Sequence, residues 1–360
     1  MNALESQLGY PFGDTLPEPG RTLEVAPGVR WLRMKLPFAL DHINLWLLRD
    51  ELARDDGSTA QGWTIVDCGI ANDATRADWE RIFGSELDGL PVLRVVVTHM
   101  HPDHMGLAHW LTERWGVRLW MSATDFSAAR LASSGLAPFG GPRTADFMAR
   151  HGLVDRSAHE QIAGRTHYYS NLVPEVPASY RRLLGGERVA IGAGAGRVEW
   201  TCHAGHGHAP EHLSLHDAAH GVLISGDMVL PRISTNVSVT DLEPEGDPLA
   251  LYLASIERLR ALPADTLVLP SHGRPFRGLH TRIDQLIAHH DERFAEVLRA
   301  CAQAPQSAAD LLPVLFRRRL DLHQTTFAMG ESVAHLHALW HAGKLVRQTG
   351  ADGIYRFAAA

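Results

Sequence analysis

The chain has few of the features that mark secreted, membrane-spanning or nucleic-acid-binding proteins. Its 360 residues include only three cysteines, Cys68, Cys202 and Cys301, and this odd, widely spaced set argues against a disulfide framework. No apolar stretch is long enough to cross a bilayer, and residues 1–10 lack the basic and apolar regions of a secretory signal. The net charge of -7 argues against a general nucleic-acid binder. We therefore expect a cytoplasmic protein that binds neither a membrane nor nucleic acid.

Histidine, in contrast, is concentrated at one point of the chain. Residues 98–106 read Thr-His-Met-His-Pro-Asp-His-Met-Gly and follow the apolar run Val92–Val97, which predicts a buried strand. This loop offers four side chains of the types that zinc and similar metals prefer, namely His99, His101, Asp103 and His104. Because the chain has 22 histidines, a chance run of surface histidines is the competing interpretation. The strand that precedes the loop favours a metal site.

Periodicity divides the chain into two strand-rich halves with interleaved helices, which is typical of an α/β protein. In the first half, strands are predicted at Thr22–Val25, Val29–Lys35, Ile43–Leu48, Trp63–Val66 and Arg118–Met121, and helices at Ala74–Ile82 and Leu107–Trp115. In the second half, strands are predicted at Val189–Ile191, Val198–Cys202, Leu213–Leu215, Val222–Ser225 and Thr266–Leu269. The segment 123–182 between the halves has helical stretches broken by glycine-rich turns. It either covers an active site or has only a packing role.

The periodicity of apolar residues changes near Gly278. Helices are predicted at Ile283–Cys301, Ser307–Phe316 and Gly330–His341, followed by short strands at Leu345–Gln348 and Ile354–Phe357. Helices followed by a small hairpin resemble a winged-helix module. We therefore expect an irregular arm at 1–20, a catalytic domain at 21–278 and a small helical, winged-helix-like α+β domain at 279–360.

Three later strand ends carry further ligand-capable side chains beside glycines, which let the backbone approach an ion closely. They are the segment Gly207-His208-Ala209-Pro210-Glu211-His212, the segment Ser225-Gly226-Asp227 and the segment Ser271-His272-Gly273. Just before the first of these segments, Cys202, His203 and His206 are competing ligands. One loop does not complete a catalytic site, so these segments are the candidates for the remaining ligands.

The ordered set HxHxDH, GHxxxH, SGD and SHG is similar to that of the metallo-β-lactamase superfamily, particularly its glyoxalase II-like branch, over roughly residues 20–275. The resemblance implies an αβ/βα sandwich with a two-metal site at one edge of the sheets. It implies that the first metal is bound by His99, His101 and His208, the second by Asp103, His104 and His272, and that Asp227 bridges them. His208 is favoured over His206 because only His208 is followed by a histidine four residues later, His212.

The resemblance also implies roles for residues around the ligands. Asp67 stands in the early Asp-x-Gly loop, where the carboxylate supports the metal loop, and His212 is expected to support the ligands in the same way. Cys68 stands where the family commonly has a small hydroxylic residue, which we interpret as a difference in packing. Cys202 is expected in the core, and His203 and His206 in hydrogen-bonded structural roles.

A site of this kind implies hydrolysis. Two cations, zinc by expectation with iron or manganese as options, would share a hydroxide and polarise the substrate oxygen. Asp103 and Asp227 would orient the nucleophile and return a proton to the leaving group. His101 occupies the position where flavin-diiron relatives have glutamate, which favours hydrolysis over redox chemistry. We expect an ester, thioester or lactone of a small or medium acyl group as substrate, and thioesters are the leading class.

Substrate contacts are weakly indicated. Phe38 precedes a predicted strand and could form an apolar lip, or simply pack at an edge. Arg232 follows Asp227 closely enough to reach an anionic group, although a lone arginine is more often a surface residue.

The carboxy-terminal segment resembles the extension of β-lactamase-like hydrolases, some of which are single-strand endoribonucleases. Residues 301–360 hold six basic and four acidic residues, a net charge of +2, which is too mild to indicate nucleic-acid binding. We prefer a dimer contact or a lid over this ribonuclease alternative. Side activity on β-lactams, a regulatory DNA-binding protein and an iron-dependent thiol dioxygenase are weaker hypotheses.

Overall fold

The computed structural model describes residues 4–53, 56–137 and 139–360. Within these ranges two β-sheets pack face to face, and helices cover the outer face of each. The expected αβ/βα sandwich is therefore confirmed. None of the helices in these ranges is long and apolar enough to span a bilayer.

Seven strands form the first sheet, in the order in which they follow along the chain. They are β1 (Leu23–Ala26), β2 (Val29–Lys35), β3 (His42–Ala53), β4 (Thr59–Val66), β5 (Val92–Val96), β6 (Leu119–Met121) and β7 (Tyr180–Arg182). Strands β1 to β4 pair antiparallel, whereas β4 to β7 pair in parallel. Parallel neighbours need a crossover connection, and helices supply it: α1 (Asp73–Ser85), α2 (Pro102–Met105), α3 (Ala108–Trp115), α4 (Ala123–Ser133), α5 (Pro142–Arg150), α6 (Arg156–Ala163) and α7 (Tyr168–Leu172).

Five strands form the second sheet, in the order β12-β11-β10-β9-β8. They are β8 (Arg188–Ile191), β9 (Val198–Gly205), β10 (His212–Asp217), β11 (Val222–Gly226) and β12 (Leu267–Pro270), with α8 (Pro248–Arg258) between β11 and β12. The pair β11–β12 is parallel and the other pairs are antiparallel. The sequence patterns missed β7 and α8.

The alternation of side chains along the strands creates the layers of the core. On β3, Leu45 and Leu47 face the helices of the first sheet, while Trp46 and Leu48 face the second sheet. Because successive side chains of a strand point to opposite faces, a strand buried on both faces has a continuous apolar run. Cys202 lies in the layer between the sheets, as expected, and all three thiols are buried and unpaired.

The carboxy-terminal region consists of α9 (Leu279–Gln303), α10 (Ala308–Leu315), α11 (Leu322–His341) and a hairpin of β13 (Leu345–Thr349) and β14 (Tyr355–Ala359). These helices share one apolar cluster with the outer face of the second sheet and with α8. The region is therefore packed against the sandwich through a common core. The boundary at 278 and the winged-helix interpretation stay predictions.

Helix α11 begins eight residues before the predicted start at Gly330. Asp321 accepts a hydrogen bond from the Gln324 amide, and the Gln324 side chain accepts from the Asp321 amide, which forms a capping box. Gly330 lies inside the helix because Ser238 packs against it: a Cβ atom there would lie 2.6 Å from Ser238 Oγ. Glycine at this position reflects close packing and not a helix start.

The amino-terminal arm is largely irregular, with one short 3-10 turn at Glu5–Gln7. Gly9 and Arg277 exchange two backbone hydrogen bonds, of 3.1 and 2.7 Å. The arm is thus fastened beside the start of α9. The first three residues of the predicted arm lie outside the described residues.

Candidate metal centre

Four loops at one edge of the two sheets bring the predicted ligands together. The segment from His99 to His104 follows β5, and His208 lies between β9 and β10. Asp227 follows β11 and His272 follows β12. Strands β9, β11 and β12 run in the same direction, because β10 is antiparallel to both β9 and β11 while β12 is parallel to β11. Their carboxyl ends therefore share one edge.

Three imidazole nitrogens form a small triangle at this edge. His99 Nε2 lies 3.0 Å from His101 Nδ1 and 3.2 Å from His208 Nε2, and the last two atoms are 3.0 Å apart. Tetrahedral zinc with bonds of about 2.0–2.1 Å to nitrogen holds its ligand atoms about 3.3 Å apart. The triangle therefore fits one cation of this size.

A second group lies beside the first. Asp103 Oδ2 is 3.3 Å from His272 Nε2 and 3.7 Å from His104 Nε2. Asp227 Oδ1 is 3.5 Å from each of these imidazole nitrogens. The other oxygen, Asp227 Oδ2, is 3.3 Å from His208 Nε2 in the first group. Asp227 thus places one carboxylate oxygen at each group, which is the arrangement expected of a bridging ligand.

Two buried atoms of the second group have no hydrogen-bond partner among the described residues, namely His104 Nε2 and Asp227 Oδ1. Buried polar atoms are normally paired, since an unpaired one costs free energy. A cation bound between these atoms would satisfy both of them. The donor set of three imidazoles in one group, and two imidazoles and two carboxylates in the other, could hold two metal ions.

Charge in the second group is balanced between carboxylates and imidazoles. Burial lowers the pKa of His272, but the Asp227 and Asp103 carboxylates outweigh burial and raise it to about 10. Burial likewise raises the pKa of Asp103, but His104 and His272 bring it down to about 2. The two carboxylates therefore favour positive charge at this point, whether it is carried by protons or by a metal ion. In the first group, burial and then the neighbouring His208 lower the pKa of His101 to about 3, which keeps that imidazole neutral and able to bind a metal.

Asp67 holds the ligand loop from behind. Its Oδ2 atom accepts a hydrogen bond of 2.8 Å from His104 Nδ1, and its Oδ1 atom accepts one of 2.8 Å from the Thr98 amide. The Thr98 hydroxyl also lies within hydrogen-bond distance of Asp67 and of His99 Nδ1. With its Nδ1 proton held by Asp67, His104 presents Nε2 to the second group. This geometry agrees with the supporting role that the resemblance implies for Asp67, and it adds Thr98, which sequence reasoning missed.

Backbone groups orient three further imidazoles. His208 Nδ1 donates to the Asn236 carbonyl at 2.8 Å, and His272 Nδ1 donates to the His42 carbonyl at 2.8 Å. His212 Nε2 accepts a hydrogen bond of 3.1 Å from the Asp227 amide. His212 therefore supports the Asp227 loop, and its ring packs beside that of His99, with 4.9 Å between centroids. Such contacts fix ring orientation and tautomer.

Asp125, at the start of α4, ties two ligand loops together, and sequence reasoning missed it. Its carboxylate accepts hydrogen bonds from the Met100 amide at 2.8 Å and from the Glu211 amide at 2.6 Å. Burial raises the pKa of this carboxyl to about 6. The only sequence signal was an acidic residue three positions after Ser122, the cap of α4.

The competing ligands lie apart from both groups. The His206 ring donates to the Pro210 carbonyl at 2.8 Å, and the His203 ring packs near His216, with 5.8 Å between centroids. Burial raises the pKa of Cys202 to about 12, so its thiol stays protonated. Cys68 is fully buried in the helix-facing core of the first sheet.

The two predicted substrate contacts have different surroundings. Phe38 is 36% exposed and stacks on His323, with 6.1 Å between ring centroids. Arg232 is largely exposed, and its nearest carboxylate is that of Glu5 in the amino-terminal arm, at 3.9 Å. Nothing in the described geometry connects Arg232 with the metal-ligand groups.

Comparisons with known proteins agree with the fold. The model of the metallo-beta-lactamase superfamily matches residues 43–272, and that of the metallo-beta-lactamase-like C-terminal domain matches residues 294–360. A beta-lactamase domain protein from Burkholderia ambifaria, of known crystal structure, is 59% identical over the whole of both chains, with a TM-score of 0.93. A metallo-beta-lactamase family protein from Thermus thermophilus is 26% identical over 93% of this chain and 99% of its own, with a TM-score of 0.74. The probable metallo-hydrolase YqjP of Bacillus subtilis (strain 168) is 24% identical over 86% of this chain and 91% of its own.

Proposed function

The chain belongs to the metallo-beta-lactamase superfamily, and we propose that it is a hydrolase that uses two zinc ions to cleave an ester, thioester or lactone of a small or medium acyl group. The observation that carries this proposal is the position of Asp227, whose two carboxylate oxygens face two separate ligand groups. A site for a single cation would not need a carboxylate whose two oxygens face different ligand groups.

The metals and the protein would contribute different parts of the chemistry. Two zinc ions, when bound, would lower the pKa of a shared water and polarise the substrate carbonyl. Asp103 has 18% of its side chain exposed and Asp227 has 10%, so Asp103 is the more accessible carboxylate of the pair. Asp103 would orient the attacking water and pass its proton to the leaving group. Asp67 and Asp125 would keep the ligand loops in place.

Hydrolysis is preferred over the other reactions of comparable sites. His101 supplies an imidazole where redox relatives supply a carboxylate, as the sequence indicated. Phosphodiester cleavage in RNA would call for a basic surface, and the net charge of this chain is -7. We therefore retain a small-molecule acyl substrate, with thioesters as the first class to test.

A substrate panel tests this proposal. Acyl thioesters, lactones, β-lactams and single-stranded RNA are offered to the zinc-loaded protein, with chelated protein as a control. We expect hydrolysis of thioesters, esters or lactones that chelation abolishes. Cleavage of RNA alone, or acyl hydrolysis that survives complete metal removal, would overturn the proposal.

Two neighbouring histidines provide a matched pair of variants. His208→Ala removes one corner of the nitrogen triangle and should abolish turnover. His206→Ala removes a ring whose described partner is the Pro210 carbonyl, and turnover should remain within about threefold of wild type. The reverse result would show that the ligand assignment is wrong.

A further inference from the structure

Aromatic side chains from three distant segments meet beside the second ligand group. We define the aromatic rim as Phe38, Tyr168, His323 and Phe327. His323 lies between the others, with centroid distances of 6.1 Å to Phe38, 5.9 Å to Tyr168 and 5.0 Å to Phe327. The rim is not buried, because Phe38 is 36% and Phe327 44% exposed. Exposed aromatic rings in contact with one another indicate a binding surface more often than an isolated exposed ring does.

Tyr168 connects one side of the rim to the metal centre. It begins α7, which packs against α2 of the ligand loop. The next residue, Tyr169, donates its hydroxyl hydrogen bond to the Met100 carbonyl, between His99 and His101. Burial, followed by the nearby Asp103 carboxylate, raises the pKa of Tyr168. Because α2 contains Asp103, a predicted ligand of the second group, the packing of α7 against α2 brings the Tyr168 end of the rim towards that group.

Phe38 connects the opposite side. It lies in the loop between β2 and β3, four residues before His42. The His42 carbonyl accepts the hydrogen bond from His272 Nδ1, and His42 Nε2 accepts one of 2.8 Å from the Gly273 amide. The loop that carries Phe38 is thus fastened to the loop that carries another predicted ligand of the second group.

The carboxy-terminal region joins the two sides. His323 and Phe327 are four residues apart at the start of α11, so they lie on the same face of the helix. The capping box at Asp321 and Gln324 fixes where this helix begins. His323 stacks on Phe38 with an interplanar angle of 19° and also contacts Tyr168. Burial, with a contribution from Arg165, lowers the pKa of His323, so its ring is neutral near pH 7.

The segment that leads into α7 also carries a cation. Arg165 lies three residues before Tyr168 and is half-buried. No carboxylate of the described ranges lies within ion-pair distance of its guanidinium. A half-buried arginine without an acidic partner is free to bind an anionic group.

We infer that the aromatic rim binds an apolar acyl chain and that Arg165 binds an anionic group elsewhere on the same substrate. The substrate class is then an ester or thioester of a medium-chain or aryl acid that also carries a negative charge. This inference rests on the proposed hydrolysis at the metal centre, and it assigns the choice of substrate partly to the carboxy-terminal region.

Four thioesters test the inference: acetyl and octanoyl groups, each joined to neutral N-acetylcysteamine or to negatively charged 3-mercaptopropionate. In wild type we expect the octanoyl group and the anionic thiol each to raise kcat/KM. Phe327→Ala should lower the octanoyl-to-acetyl ratio of kcat/KM by about 10-fold, which is the size of effect an apolar pocket gives. Arg165→Gln should lower the anionic-to-neutral ratio by about 10-fold. The controls Leu251→Ala and Arg188→Gln, which replace an exposed apolar residue of α8 and an arginine of β8 paired with Glu199, should leave both ratios unchanged.

Binding of octanoate and acetate to chelated protein, measured by calorimetry, gives a readout that does not depend on turnover. Wild type should bind octanoate more tightly than acetate, and Phe327→Ala should lose this preference. Absence of hydrolysis of all four thioesters, together with absence of activity on the esters and lactones of the substrate panel, would overturn the proposed function. Hydrolysis with the same ratios in wild type, Phe327→Ala and Arg165→Gln would overturn the inference alone.

Discussion

Replacing Asp67 by asparagine should weaken metal binding at the second ligand group while leaving the fold intact. Asp67 is fully buried and accepts hydrogen bonds from His104 Nδ1 and from the Thr98 amide, both at 2.8 Å. Asparagine has the same shape but only one acceptor oxygen. If that oxygen stays with the Thr98 amide, the new amide NH2 group faces His104 Nδ1, and two donors cannot bond to each other.

The imidazole can relieve this conflict by changing tautomer. His104 Nδ1 would then accept a hydrogen bond, and the proton would move to Nε2, which lies 3.5 Å from Asp227 Oδ1 and 3.7 Å from Asp103 Oδ2. A protonated Nε2 cannot bind a metal. Loss of such an outer contact weakens metal binding by about 10- to 100-fold, which corresponds to about 1.4–2.7 kcal/mol. The first group, with its own three nitrogens, should keep most of its affinity.

Competition between the protein and a chromophoric zinc chelator measures both affinities. Asp217→Asn is the matched control, because Asp217 is also buried and accepts a hydrogen bond of 2.6 Å from His220 Nδ1. Asp217 lies at the opposite end of β10 from His212, and His220 is not a predicted ligand. Wild-type zinc affinity in Asp67→Asn, or an equal loss in Asp217→Asn, would refute the tautomer argument.

Three further predictions concern the bridge, a buried acid and the carboxy-terminal region. Asp227→Ala and His101→Ala should each abolish turnover and lower bound metal as measured by elemental analysis; wild-type turnover in either would contradict the ligand assignment. Glu331, on α11, has a pKa raised by burial to about 7, so the folded protein holds a proton that the unfolded chain releases at lower pH. The free energy of unfolding of wild type, measured in urea, should therefore fall relative to that of Glu331→Gln as pH rises from about 5 to 8. The same pH dependence in both proteins would contradict a protonated Glu331 in the folded state. Deleting residues 279–360 should unfold the protein, because α9 to α11 share a core with the second sheet; a folded, active truncated monomer would show otherwise.

The candidate ligands that the structure brings together could be predicted from the sequence because each stands where a recognisable strand ends. The contacts that orient them were not. The carbonyls of Asn236 and His42 bind ring nitrogens through backbone atoms, and a backbone carbonyl gives no residue-type signal. Asp125 resembles any acidic residue in the first turn of a helix, and only the fold brings it to two ligand loops.

Contacts between residues far apart in the chain could not be predicted from sequence patterns either. The aromatic rim joins residues 38, 168 and 323, which only the packing of α11 against the sandwich brings together. Gly330 resembled the start of a helix, whereas contact with Ser238 explains a glycine inside one. Periodicity indicates which face of an element is apolar, but not which partner covers that face.

The central claim is that Asp227 joins two metal sites, and the metal content of the purified, zinc-dialysed protein tests it most directly. Elemental analysis against protein concentration should give two zinc ions per chain for wild type, and fewer for Asp227→Ala. A single ion per chain in wild type, or one iron and no zinc in the protein as purified, would contradict the two-metal hydrolytic centre.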